Sequence, residues 1–346
     1  MQPVSNNLHK LQMFWAKTLK FNTMGIHDHI QENFIQAIRS LLKSDQSLVN
    51  ELSELLHVST DSAYRRIRGE TEFSATEVAK LCNHFQISFD SLSNTHGHSV
   101  HFRYDVPGND NESYLTYLRN IYSGLKMIHQ AEEKLIHYIA DDIPLFHLFA
   151  YPLLANFKSY YYLRSVMNVE EYADGYFEDA DVPEEIMETG REILTMYREI
   201  PSVEIWSEQS INSILKQIEF YRESGFFKDE KTADTLLGEV SSLVSDIKSM
   251  CTRSNKIADS AGGNNFTFYA CDIEIGNNCI LAQAGAMRKV FLRHSTFHTI
   301  DTADHNFCNT TEDWIKGLIA KYNQLSGMAE KARNMFFQRL QKTIES

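Results

Sequence analysis

Cysteine and proline are scarce here: five and six residues in a chain of 346. The cysteines, Cys82, Cys251, Cys271, Cys279 and Cys308, are odd in number and form no CxxC pair. That argues against a disulfide framework and for a reduced, cytoplasmic compartment. Positive charge is also short, with 33 Lys and Arg against 46 Asp and Glu, a net charge of −13. Such a balance excludes an indiscriminate electrostatic binder of nucleic acid, but not a reader with one small basic face, because affinity depends on the local patch. Long apolar runs are missing. The richest, Ile143 to Phe157, is too short to span a bilayer and holds Pro144, His147 and Pro152, so it reads as a buried helix with no membrane partner. Residues 1–23 lack a secretory pattern. They are basic, with Lys10, Lys17 and Lys20 and no acid, and read as a disordered arm or an extension upstream of a start at Met24. No G-x-G-x-x-G, Walker loop, nucleophile elbow or HExxH occurs, so nothing positive points to catalysis and no cofactor is expected.

What is present is helical periodicity. Ile30, Phe34, Ile35, Ile38, Leu41 and Leu42 form one stripe, and Leu48, Val49, Leu52, Leu55 and Leu56 a second. A third helix is predicted from Thr60 to Arg68, stopped at Gly69, and a fourth from Ser74, where Glu77 completes a Ser-x-x-Glu capping box. Residues 96–112 are rich in Asn, His, Gly, Ser and Asp and read as a linker, with a short strand at Arg103 to Val106. From residue 113 to 258 the pattern is helical. One long helix is expected through Leu115, Leu125 and Ile136, and others over Leu145–Val166, Pro183–Glu199, Val203–Arg222 and Thr232–Met250. From 259 to 346 the texture changes. Phe266–Ile275, Cys279–Gln283 and Lys289–Ile300 read as strands and Gly276-Asn277-Asn278 as a turn, with closing helices over Thr311–Leu325 and Met328–Ile344.

The stretch Leu48 to Leu92 carries chemistry. A DNA-reading helix must be short, packed on one face and polar on the other. Ala63 and Ile67, at i and i+4, face a core; Thr60, Asp61, Ser62, Tyr64 and Arg65 then project outward, and Ser59 is placed to cap. The run Leu52-Ser53-Glu54-Leu55-Leu56-His57-Val58-Ser59, then Thr60-Asp61-Ser62-Ala63-Tyr64-Arg65-Arg66-Ile67-Arg68-Gly69-Glu70, with Ser74, Glu77, Leu81 and Ile87-Ser88-Phe89-Asp90-Ser91-Leu92, resembles the Cro/lambda-repressor-type helix-turn-helix family, also called the XRE family. With the first helix, the match covers under a fifth of the chain. The resemblance implies double-stranded DNA as partner, with Arg65 pairing to guanine, Thr60, Ser62 and Tyr64 touching bases or phosphates, and Arg66 and Arg68 on phosphates. Three positions depart from the family. His57 stands where glycine is common in the turn, Val49 replaces a glutamine that reaches the backbone, and Asp61 puts a negative charge on the reading face, where a cytosine amino group would suit it.

Other clusters are weaker. His294, His298, His305 and Cys308 fall close together near Asp301 and Asp304, but His-x3-His on a strand separates its rings widely, so no metal is expected; His96, His98 and His101 are at most weak chelators. Tyr160-Tyr161-Tyr162 read as core rather than pocket, and Asp141-Asp142 and Glu184-Glu185 as solvated helix ends.

The fold expected is mainly α: a lambda-repressor-like helix-turn-helix bundle at 24–95, a helical region at 113–258, and a small α+β unit at 259–346 with antiparallel strands. The function expected is a cytoplasmic, homodimeric, sequence-specific transcriptional regulator, whose C-terminal region senses a small-molecule or protein effector or dimerises. Alternatively the helix-turn-helix scaffold contacts protein instead of DNA, as the acidic total and Asp61 suggest, or it heads an enzyme whose residues lie around His294 to Cys308.

Overall fold

The structure, a computed structural model, describes residues 30–39, 42, 47–85, 87, 100–105, 108–258, 263–294 and 298–345. The expected arm at 1–23, and His96 and His98, lie outside them. The described chain is mainly helical, with a mixed eight-stranded sheet, and divides into two units, 1–101 and 102–346. No described helix is long and apolar enough to cross a membrane.

The first unit holds helices α1 (30–39), α2 (Leu48–Leu56), α3 (Thr60–Ile67) and α4 (Ala75–Phe85). The apolar stripes read from the sequence meet in one core: Phe34, Ile35 and Ile38 of α1, Leu48, Leu52 and Leu56 of α2, Ala63 of α3 and Leu81 of α4. Local signals set the boundaries. Ser59 caps α3, and Ser74 and Glu77 exchange hydrogen bonds at the start of α4 (2.8 and 3.2 Å), satisfying two otherwise orphaned N–H groups.

The second unit begins with β1 (Arg103–Tyr104), α5 (Asn111–Gln130), β2 (Lys134–Ala140), α6 (Leu145–Leu148), α7 (Pro152–Tyr161), a π-helical turn over Tyr162–Val166 and α8 (Glu184–Glu199). It continues with β3 (Ser202–Trp206), α9 (Asn212–Glu223), α10 (Glu230–Arg253), β4 (Phe266–Ala270), β5 (Cys279–Ala284), β6 (Met287–Arg293) and β7 (Thr299–Thr302), then α11 (His305–Lys321), β8 (Asn323–Gln324) and α12 (Glu330–Glu345). The sheet order is β1-β7-β6-β5-β2-β3-β4-β8. β2, β3 and β4 are parallel, and the flanking pairs are antiparallel.

Several expectations fail here, because β2 and β3 are buried on both faces. The long helix through Ile136 ends at Gln130, and Lys134–Ala140 is a strand; the helix expected from Val203 is the strand Ser202–Trp206 followed by α9. Both strands are covered on two faces. Ile136, Tyr138 and Ala140 face the large core under α5 to α10 and α12, while Ile139 and Ile205 face a smaller core under α11. A strand buried on both sides shows a continuous apolar run rather than alternation, and short runs of that kind mimic helix. No boundary therefore falls at 258/259: β2 and β3, from the stretch read as helical, pair with β5 and β4. The expected α+β unit of antiparallel strands supplies five strands of a mixed eight-stranded sheet.

The linker reading is corrected as well. Arg103 and Tyr104 pair with Asp301 and Ile300, and Asp110 caps α5, so 102–112 belongs to the second unit. Its polar composition reflects an edge position. Pro152 splits the expected Leu145–Val166 helix, and the helix expected from Thr311 begins at His305, capped by Asp304. Asp142 is buried against Lys158 at 3.4 Å rather than solvated.

A buried carboxylate ties helices to sheet. Glu204, fully buried on β3, accepts from His147 Nε2 of α6 (2.8 Å), the Tyr197 hydroxyl of α8 (2.6 Å) and Trp206 Nε1 (2.9 Å). Burial pushes its pKa up, but His147, Tyr197 and the nearby Lys256 outweigh it and hold the carboxyl below its ordinary value. Replacing His147 with Ala should lower unfolding free energy by about 3–5 kcal/mol, because it strips a donor from a buried charge. Denaturant titration checks this, and a loss under 1 kcal/mol would contradict the role given to the network. Gly190→Ala should also destabilise, by about 1–3 kcal/mol, since its Cβ would stand 2.3 Å from the Phe149 ring.

Candidate nucleic-acid interface

α2 must end abruptly for α3 to turn away from it. His57 makes that turn in the left-handed region (φ 56°), a conformation histidine tolerates better than most residues, and its N–H bonds back to Glu54. Ser59 then starts α3 in an extended conformation, its hydroxyl accepting from the Ser62 N–H at 3.2 Å. At the far end, Gly69 adopts φ +74° and closes the helix. Of the α3 side chains only Ala63 is fully buried. Its methyl lets the helix lie close to the core.

The outward face carries Thr60, Asp61, Tyr64 and Arg65, all exposed, with Tyr64 at 51 %. Arg68 is exposed just beyond the helix, and Ser62 is half-buried. Glu70 neighbours both arginines, at 3.8 Å from Arg65 and 2.9 Å from Arg68. These exposed pairs contribute little to stability and can be exchanged for another acceptor.

Arg66 does something else. It was expected on phosphates, but its guanidinium is shielded and pairs with Glu77 of α4 at 2.8 Å, while also donating to the Ser62 carbonyl at 3.2 Å. The reason is geometric: Glu77, in the first turn of α4, lies within reach of Arg66 near the end of α3. Two residues that the sequence did not reveal as partners complete the fixture. Glu77 serves both the capping box and Arg66. Gln31 of α1 donates to the carbonyls of Arg66 and Thr71 (2.9 Å each) and accepts from the Phe73 N–H at 3.1 Å. The capping box was legible as spacing; the long-range partners were not, because their separations of 11 and about 40 residues leave no local signal.

The weaker clusters do not assemble. His305 pairs with Asn309 at 3.1 Å, His294 lies edge-on to Tyr104, His298 edge-on to Tyr117, and Cys308 is buried in the α11 core. Among the described residues no three His, Cys, Asp or Glu converge as a metal site would require. None of the five cysteines forms a disulfide.

No protein-family model, no curated protein and no solved structure matches this chain.

Glu77 gives the α3–α4 junction a pH dependence. Burial raises its pKa, but the Ser74 and Arg66 hydrogen bonds outweigh this and set it below the ordinary 4.5. A carboxylate lowered on folding contributes stability that is present above its unfolded value and lost as pH falls through the folded one. The first unit should therefore lose stability below about pH 4.5, and Glu77→Gln should be less stable at neutral pH with a flatter acid limb. Urea midpoints across pH 3 to 7 decide it; identical acid limbs in the two proteins would refute the assignment.

Proposed function

We propose that the first unit is a helix-turn-helix reader of double-stranded DNA, and that the chain is a sequence-specific transcriptional regulator acting as a homodimer in the cytoplasm. The observation that carries this is α3 itself: a short helix fixed at both ends, buried through Ala63 alone, with a polar outward face. Its eight residues span about 12 Å, close to the width of a major groove. Rigidity supports the reading too. Base recognition requires donors held in place before contact, and Ser59, Glu77 and Gln31 supply that without occupying the outer face.

In this proposal Arg65 leaves Glu70 to pair with guanine, Thr60 and Tyr64 touch bases or phosphates, and Asp61 accepts from a cytosine amino group. Arg68 meets phosphate. Ser59 and Ser62 hold the helix start, and Arg66 positions α3 instead of contacting DNA. The second unit then supplies sensing or dimerisation, biasing the spacing of two reading heads.

The test is selection of bound sequences from random duplex DNA by the full chain near physiological salt. The expected result is one enriched motif, a palindrome with half-sites about one helical turn apart. Arg65→Ala should abolish retention of that motif, while Arg66→Ala should destabilise the unit. With Arg65 and Arg68 as the exposed arginines of α3 and its end, log K should fall gently with log salt, with a slope of about −2 to −4 for a dimer. No enrichment from folded protein would favour a protein-contacting role for the same face, in which Glu70 keeps its arginines.

A further inference from the structure

The carboxyl ends of the parallel strands β2 and β3 open onto a shallow surface pocket of about 430 Å³. Asp141, which follows β2, forms one wall, and Ser213, Lys216, Gln217 and Phe220 of α9 another; Tyr161, the last residue of α7, closes the side. In open α/β sheets this end of parallel strands is where ligands bind. The chain also leaves regular α-helix here: the π-helical turn begins at Tyr162, directly after Tyr161, and such turns concentrate at functional sites.

A buried cation feeds this pocket. Lys158 is 3 % exposed, lies over the Tyr162 ring at 5.2 Å and contacts Asp142 at 3.4 Å. Its ammonium donates to Gln217 Oε1 at 2.8 Å, and Gln217 Nε2 donates in turn to Ser213 Oγ at 3.0 Å. With its oxygen accepting from Gln217, Ser213 keeps its own proton to donate. The chain Lys158–Gln217–Ser213 thus runs in one direction, with a positive charge at its base, and hydrogen bonds in such a chain polarise one another. It presents a strengthened donor to the pocket. Lys216, exposed on the same helix, adds a second cationic group. Asp141 and Asp142 offset Arg293 and Lys158, which engage them, so Lys216 supplies the net positive charge at the site.

The remaining walls suit a different part of a ligand. Phe220 is 52 % exposed at the rim, and Tyr161 is half-buried opposite the buried cluster. Two aromatic faces beside a polar floor accept a planar ring. The Asp141 carboxylate, with one oxygen on Arg293, leaves acceptor capacity for hydroxyl groups.

We propose that this pocket binds a small molecule that joins an anionic group to a planar ring through a hydroxyl-bearing middle, with the size and chemistry of a nucleoside monophosphate. Ser213 and Lys216 take the phosphate, Asp141 the sugar hydroxyls, and Tyr161 and Phe220 the base. The assignment rests on the second unit alone and does not depend on what α3 contacts.

Isothermal titration of the full chain with the four common ribonucleoside 5′-monophosphates, their parent nucleosides and inorganic phosphate tests it. At least one monophosphate should saturate at one site per chain and bind tighter than both its nucleoside and phosphate. Ser213→Ala and Lys216→Ala should each weaken it roughly 10-fold, the scale of one charge-assisted hydrogen bond, with little effect on the nucleoside. Phe220→Ala should weaken monophosphate and nucleoside together. Unchanged unfolding midpoints establish that the variants are folded, and Arg65→Ala should leave the titration unaltered. Absence of monophosphate binding at millimolar concentration overturns the proposal, as does binding that survives all three substitutions.

Discussion

The second unit depends on satisfying Glu204. A carboxylate with no exposed surface is tolerated only when its lone pairs are occupied, and the donors that occupy them come from separate elements: His147 on α6, Tyr197 on α8 and Trp206 on β3 itself. Lys256, just beyond α10, stands over the Tyr197 ring at 4.0 Å and donates to Ser202 at 2.9 Å, bringing compensating charge to the same place. Hydrophobic packing of the large core would accept many small slides of helix over sheet. A buried carboxylate with directional partners does not. It fixes α6 and α8 against β3, and through them the end of the sheet where the pocket opens.

In the first unit the corresponding constraint is smaller and lies at the surface. Arg66, Glu77 and Ser74 join the end of α3 to the start of α4, and Gln31 ties the following loop to α1. The effect is a division of labour among neighbouring arginines. Arg66 is committed inward, whereas Arg65 and Arg68 share only the exposed Glu70. Of these three arginines one serves rigidity and two stay exposed, consistent with a chain whose acidic total would discourage loose electrostatic attachment.

Much of the first unit was legible because its signals are short-range. Apolar spacing in α1 and α2, the Ser59 cap, the left-handed His57 and the Ser74–Glu77 box each involve residues within a turn of one another. Of the outward set read from helical phase, Thr60, Asp61, Tyr64 and Arg65 are exposed, whereas Ser62 is half-buried. Arg66 reads like Arg65 and Arg68 in sequence; only the position of α4, whose Glu77 pairs with it, sets it apart. In the second unit α8, α10 and α12 were read nearly correctly, since long amphipathic helices announce themselves. The strands β2 and β3 were not. Both are buried on two faces, so Leu135, Ile136, Tyr138 and Ile139 of β2 read as a helical run, and in β3 the buried Glu204 further masks the strand.

The sequence by itself determined which segments turn, cap and coil, because those choices are made by neighbouring groups over a few ångströms of chain. It also determined the sparse cation content that any interface must work with. Tertiary structure decided the rest: that one sheet runs through the whole second unit, that Glu204 is a fastening point rather than a surface acid, and that Lys158, Gln217 and Ser213 line up toward a pocket. Those outcomes depend on partners 57 and 70 residues apart, such as His147 with Glu204 and Ser210 with the Ala140 carbonyl. No local pattern encodes such a pairing; it exists only once apolar burial has brought the elements together.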